Sequence, residues 1–302
     1  MAGDPTTTGS HDGGMRAEGA YPFKIGDLDV IALHDGVLMR DRPDGFVRNA
    51  SSAEVGEAFA AIGLPRDKLT LTFNALAIRN GSGVVLIDTG FGEGGPAGTG
   101  QIVQNLAAAG IAPGDVSTVL ISHFHGDHIS GLRGQDGALV FPNAEVCVPT
   151  PEWDFWMDDG NLSSAPEALK GHFNLARKTF QANDMEVRQF GWGDEVLSGI
   201  TALQASGHTP GMTAFEIVSG DEATMFVADI TNNPLIFARH PEWQAMFDIN
   251  PDEAVATRKR FLDRAAAEQM RLSFFHAPFP STGYILKSGA GYEFAPAMWT
   301  TR

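Results

Sequence analysis

One stretch limits what this chain can fold into more than any other: Ser122-His123-Phe124-His125-Gly126-Asp127-His128. Four potential metal ligands fall within six residues, directly after the apolar run Val119-Leu120-Ile121. Such a run predicts a buried strand, so the ligands stand where a strand ends and the chain turns, a common seat for chemistry on a rigid scaffold. If the chain stays extended through His123 and His125, their side chains point to the same side. Asp127 and His128 follow the Gly126 bend and can face a second point in space. A core does not accommodate so many adjacent polar groups without partners, and a metal centre is the partner that suits this set.

Two ions need more than four ligands, so the rest of the chain must complete the site. The other histidines are His11, His34, His172, His208, His240 and His276. Three positions repeat one grammar, an apolar strand with a ligand at its end. His208 stands in Ser206-Gly207-His208-Thr209-Pro210-Gly211 after the alternating run 200–205; Asp229 closes Met225-Phe226-Val227-Ala228; His276 closes Leu272-Ser273-Phe274-Phe275. Asp88 ends the run from Val84 and is placed to support a ligand from behind. His34, in His34-Asp35-Gly36 after the strand pattern 28–33, is expected to be a turn residue.

With 302 residues and 43% hydrophobic composition, the chain can form one large α/β domain with a core of its own. A formal charge of −16 argues against a nucleic-acid backbone or an anionic membrane as the main partner and favours a small molecule. The single cysteine, Cys147, precludes an intrachain disulfide and is expected to be a buried thiol. No apolar run is long enough to span a bilayer. Residues 1–20 lack the apolar core of a signal peptide and are expected to be a disordered tail, which leaves 21–302 as the domain and a cytoplasmic location by default.

Along the chain, 51–62 has the spacing of a short helix. Leu71–Arg79 and Val84–Asp88 flank Asn80-Gly81-Ser82-Gly83, a hairpin signal; no lysine follows at phosphate-loop spacing, so these glycines are turn chemistry. Phe91–Gly100 is a glycine-rich loop, Ile102–Ala109 a helix, and 139–149 a further strand pair. Residues 151–182 change character and predict a helical, lid-like segment. Its aromatics Trp153, Phe155, Trp156 and Phe173, together with His172, are candidates for walling an apolar substrate pocket, against the plainer alternative that the helices simply pack on the core. Strands follow at 200–205, 213–218 and 223–228. Asn250-Pro251-Asp252-Glu253 opens a helix running to about Gln269, with Asn250 as the cap. Strand 271–275 delivers His276, and 284–286 and 292–294 are short final strands.

The order His-x-His-x-Asp-His, then a lone His, a lone Asp and a lone His, resembles the metallo-β-lactamase-fold hydrolases. Leu86-Ile87-Asp88-Thr89-Gly90 and Gly207-His208-Thr209-Pro210-Gly211 support the likeness, which covers roughly residues 21–300. Within that superfamily the chain looks most like the branch of methyl parathion hydrolases and quorum-quenching lactonases, on Phe141-Pro142-Asn143-Ala144, Asp154-Phe155-Trp156 and Gly291-Tyr292-Glu293-Phe294-Ala295-Pro296. The resemblance implies a four-layer αβ/βα sandwich with the metals at one edge, and a homodimer. It implies His123, His125 and His208 on one zinc, Asp127, His128 and His276 on the other, and Asp229 bridging them. Met212 replaces the second histidine many relatives carry after Gly-His-Thr-Pro-Gly. Gly95 and His172 fall where parathion-hydrolysing relatives tend to have phenylalanine, whereas Trp156 matches.

Imidazole and carboxylate donors suit two divalent ions, zinc (Zn2+) first. Two such ions bring +4, Asp127 and Asp229 bring −2, and a bridging hydroxide brings −1, leaving +1 to stabilise an oxyanion. The expected chemistry is attack of that hydroxide on a lactone or ester, with Asp127 orienting the nucleophile and carrying its proton. The expected substrate is a small hydrophobic ester or lactone, with organophosphate triester hydrolysis as a side activity. A dedicated phosphotriesterase, a glyoxalase II-like thioesterase or sulfur dioxygenase, and a non-catalytic interaction module stand as alternatives.

Overall fold

A computed structural model of the chain describes residues 19–81, 83–180 and 184–298. Ser82 of the hairpin turn, the end of the 151–182 segment and nearly all of the expected 1–20 tail lie outside these described residues.

Strands form two sheets in chain order. The first holds β1 (Ala20–Ile25), β2 (Leu28–Asp41), β3 (Lys68–Asn80), β4 (Gly83–Ile87), β5 (Val116–Leu120), β6 (Glu145–Pro149) and β7 (Val187–Phe190). The second holds β8 (Glu195–Leu197), β9 (Ile200–Gln204), β10 (Thr213–Ser219), β11 (Glu222–Phe226), β12 (Arg271–Ser273), β13 (Thr282–Ser288) and β14 (Gly291–Pro296). Neighbours pair antiparallel from β1 to β4 and parallel from β4 to β7; in the second sheet only β11 and β12 run parallel. The helices are α1 (Ser52–Ala61), α2 (Ile102–Ala108), α3 (Gly126–Ile129), α4 (Thr150–Met157), α5 (Asp159–Ser164), α6 (Glu167–Phe180), α7 (Pro234–Phe237) and α8 (Pro251–Glu268).

The two-residue period of a strand sorts side chains between two cores. In β2, Val30 and Ala32 face the second sheet, while Ile31 and Leu33 face the outer helices; in β4, Val85 and Ile87 separate from Val84 and Leu86 in the same way. The inner core joins these residues to Phe215, Ile217, Met225 and Leu272 of the second sheet, and α8 adds Phe261, Leu262 and Ala265. The outer core packs α2, α4 and α6 onto the first sheet through Ile102, Leu106, Trp156 and Phe173. The result is the αβ/βα layering expected from the sequence. Each fully buried aromatic or aliphatic side chain contributes about 1.5–3 kcal/mol.

Helix α8 starts as its sequence predicts. Asn250 Oδ1 accepts a hydrogen bond from Glu253 N at 3.3 Å, and Pro251 takes the first turn. The Glu253 carboxylate accepts from the Asn250 side chain at 3.0 Å and from Ser206 Oγ at 2.5 Å, which ties the helix to the turn before His208.

Two local expectations are corrected. Residues 139–149 form one strand, β6, because Phe141-Pro142-Asn143-Ala144 makes a turn and Pro142 has no N–H to give a ladder. The chain does not turn at His34-Asp35-Gly36: β2 continues to Asp41, with a bulge between His34 and Gly36. Cys147 is buried. Among the described residues, no helix is long and apolar enough to cross a membrane.

Candidate metal centre

Every expected ligand lies just past the carboxyl end of a strand: His123, His125, Asp127 and His128 after β5, His208 after β9, Asp229 after β11 and His276 after β12. That edge is where α/β sheets place ligands, since loops there diverge around a crevice. Two residues beside the site hold positive φ, Asp88 at 61° and Ala228 at 44°. For an alanine this conformation costs about 1–2 kcal/mol, and it turns the chain so that Asp229 points inward.

The seven side chains gather as two groups, His123-His125-His208 and Asp127-His128-Asp229-His276. In the first, His125 Nδ1 lies 3.2 Å from His123 Nε2 and 2.9 Å from His208 Nε2. In the second, His276 Nε2 lies 3.4 Å from Asp127 Oδ2 and 3.0 Å from Asp229 Oδ2, and His128 Nε2 lies 3.3 Å from Asp229 Oδ1. Asp229 Oδ2 is also 3.4 Å from His208 Nε2, so this carboxylate spans both groups.

Supporting residues fix which nitrogen faces the centre. His128 Nδ1 donates to Asp88 Oδ2 at 2.8 Å, His208 Nδ1 to Asp248 Oδ1 at 2.9 Å, and His276 Nδ1 to the Thr72 carbonyl at 2.8 Å. Ser122 Oγ gives its proton to Asp88 at 2.7 Å and so accepts from His123 Nδ1 at 3.1 Å. Each of these four rings thus engages Nδ1 outside the centre and turns Nε2 inward, the nitrogen left to act as a ligand. His125 alone presents Nδ1.

The donor set fits a pair of cations. Tetrahedral nitrogen ligands at 2.0–2.1 Å from zinc stand about 3.3 Å apart, close to the spacing of the three histidine nitrogens. His128 Nε2 and Asp229 Oδ1 are buried with no hydrogen-bond partner, an expensive arrangement unless a cation meets them. Burial and the neighbouring histidines push His123 and His125 well below their ordinary values, which keeps them neutral. Burial opposes a proton on His276 too, but Asp229 and Asp127 outweigh it and raise that ring to about 10; His128 is raised by the same carboxylates. Burial disfavours the charged form of Asp127, yet His128 and His276 bring it down to about 2, and Asp229 falls well below its usual range for like reasons. Those protons occupy the positions where the four groups call for positive charge. The two His/Asp clusters fit a binuclear metal site.

Asp248, Glu152 and Arg258 were not legible as site residues. Asp248 sits in Phe247-Asp248-Ile249-Asn250 with no strand before it, and only the fold brings it to His208. Arg258, buried in α8, donates to the Ile230, Pro241 and Trp243 carbonyls and lies 3.6 Å from Asp248 Oδ2. His34 lies outside both groups, with its Nδ1 3.1 Å from Asn74 Oδ1, and His240 stacks on Trp243.

A cavity of about 590 Å³ opens onto Asp127, His208, Asp229 and His276. Of the five candidates Trp153, Phe155, Trp156, His172 and Phe173, only His172 lines it, its ring 4.9 Å from that of His125. Trp156 and Phe173 are fully buried in the outer core, and Trp153 and Phe155 pack against the same core. The wall on this side comes from Ala168, Leu169, Gly171 and Leu175, because the stripe of α6 that faces the cavity differs from the stripe that carries Phe173. Phe173 touches Trp156 and Phe155 at ring separations of 4.6 and 5.3 Å. Phe173→Ala is therefore expected to lower unfolding free energy by about 3–5 kcal/mol in urea denaturation, with little change in selectivity among substrates of different chain length. A wild-type midpoint with altered chain-length selectivity would contradict this.

The sequence model of the metallo-beta-lactamase superfamily matches residues 73–276, and the chain belongs to that superfamily. Two solved structures are similar over nearly its whole length. AidC, a dizinc quorum-quenching lactonase solved with a product, N-hexanoyl-L-homoserine, is 28% identical with a TM-score of 0.86, covering 94% of this chain and 99% of that one. The hydrolase AbOPH of the beta lactamase superfamily is 26% identical with a TM-score of 0.86, over 94% and 99%. The human metallo-beta-lactamase domain-containing protein 1 is 39% identical over 67 residues, 22% of this chain and 24% of its own length. The chain thus spans about a quarter of the curated relatives it matches. Family and site together define a metallo-beta-lactamase superfamily member with a candidate binuclear metal centre.

Proposed function

We propose that the chain hydrolyses a lactone or ester with a hydrophobic acyl group, using two zinc ions. The observation that carries this reading is the cavity itself: apolar walls from Leu71, Phe73, Phe91, Leu169, Leu175 and Phe247, with the polar centre on the floor. Such a shape holds a hydrocarbon chain and delivers one polar end to the ligands. When bound, the two ions supply Lewis acidity and a water whose pKa drops to about 7. Asp127 has a side chain 18% exposed, against 3% for Asp229, and lines the cavity, so it is placed to orient the attacking water and take its proton. His172 lines the cavity beside His125; burial lowers its pKa, so the neutral ring can hydrogen-bond the acyl oxygen or the leaving oxygen. The AidC complex with an acyl homoserine product supports the same substrate class.

The test is a matched panel of acyl lactones, aryl esters and methyl phosphotriesters compared by kcat/KM. Lactones or carboxylic esters are expected to lead. Leu175→Trp should shift preference to shorter acyl chains by about tenfold or more, the scale set by one or two methylenes in a pocket. Triesters ahead of every lactone and ester would replace this reading with a dedicated phosphotriesterase.

A further inference from the structure

Glu152 looks ordinary in the sequence, an acidic residue in the first turn of α4. In the fold it is fully buried, and its two oxygens face different parts of the centre. Oε1 accepts from Phe124 N at 2.9 Å and from Trp156 Nε1 at 2.6 Å; Oε2 accepts from Thr209 Oγ1 and Gly211 N, each at 2.8 Å. Phe124 stands between His123 and His125, and Thr209 follows His208. One carboxylate therefore clasps the two turns that carry the three-histidine group. Gly211 shows how close the approach is: a Cβ there would lie 2.0 Å from Glu152 N. Trp156, held by the same carboxylate, sets its ring edge-on to His125 at 6.1 Å. The turns share one backbone link besides, from Thr213 N to the Ser122 carbonyl at 3.0 Å.

We propose that Glu152 is a positioning residue that sets the spacing of the His123-His125-His208 group, and with it the affinity for one ion of the pair. This rests on the metal-centre reading and is independent of which ester is cleaved. Burial pushes the Glu152 carboxyl up, and the four donors pull it back. Because donors meet both oxygens, an amide cannot substitute. In Glu152→Gln the NH2 must oppose either Phe124 N and Trp156 or Thr209 and Gly211 N, and Gly211 N and Phe124 N cannot turn into acceptors. Whichever way the amide points, one turn is released while Asp127, His128, Asp229 and His276 keep their own supports.

The test uses the full chain, titrated with zinc against a chromophoric chelator, and the cobalt-substituted protein read by visible absorption. The wild type is expected to show two dissociation constants. Glu152→Gln should raise one of them about 10–100-fold, the usual cost of losing a supporting partner behind a ligand. The other should stay within about twofold, and the cobalt bands of one ion should shift. Both constants unchanged, or both rising together, would overturn the proposal. If Glu152→Gln does not fold, Thr209→Val reads the same quantity: it removes one donor to Oε2 and keeps the carboxylate. There a rise confined to one constant supports the proposal, and two unchanged constants overturn it. A wild type that binds fewer than two zinc ions would instead sink the metal-centre reading on which it stands.

Discussion

Asp229→Ala is expected to lower kcat/KM by on the order of a thousandfold or more and to leave the folded protein with fewer than two bound zinc ions. The carboxylate reaches His208 Nε2 at 3.4 Å, His276 Nε2 at 3.0 Å and His128 Nε2 at 3.3 Å, so its loss opens both halves at once. Charge matters as much as shape. Two divalent ions beside one remaining carboxylate would repel each other with less screening in a buried site. Removing even a single preorganised electrostatic group from a reacting centre costs about a hundredfold to a thousandfold, and this group serves both ions. Metal analysis with steady-state kinetics on the purified variant checks it. Wild-type turnover with two ions bound would remove Asp229 from the centre.

Stripping the metals with a chelator should cost much of the fold's stability. Ions held about a thousandfold below their working concentration contribute about 4 kcal/mol each by mass action. In a domain of this size 1 kcal/mol moves the melting temperature by about 2–4 °C, so the metal-free protein should melt on the order of 10 °C or more below the loaded one. Zinc added back should restore the original value. The physical source is visible in the buried His128 Nε2 and Asp229 Oδ1, which make no hydrogen bond and would lose the cation that meets them both. Calorimetry of loaded, stripped and reloaded protein reads this directly, and equal melting temperatures for all three would exclude a metal centre built into the fold.

Much of this protein is legible in its sequence. The β5 turn concentrates ligands within a few residues, where spacing alone constrains what they can do. His208 follows an alternating run and Asp229 and His276 follow continuous buried runs, and both patterns announce strands. The α8 cap at Asn250-Pro251 is local chemistry and reads locally. Less legible was anything that depends on which strand lies beside which. Asp35-Gly36 carries the same dipeptide signal whether the chain turns or bulges, and pairing along β3 makes it a bulge. The aromatic segment could equally wall a pocket or fill a core, because the helical period says which residues share a face but not what that face meets.

The sequence by itself determined the donor chemistry, since only certain side chains bind divalent ions and here they stand at strand ends in a fixed order. The family resemblance implied that those ends converge and that Asp229 bridges, and the tertiary structure supplied the distances; it alone decided that Asp248 and Glu152 stand behind the histidines. These last residues occupy unremarkable local contexts and gain their roles from partners far away in the chain. Hydrogen bonds of 2.8–2.9 Å between residues so far apart in the chain exist only once the segments that carry them have been brought together by the fold.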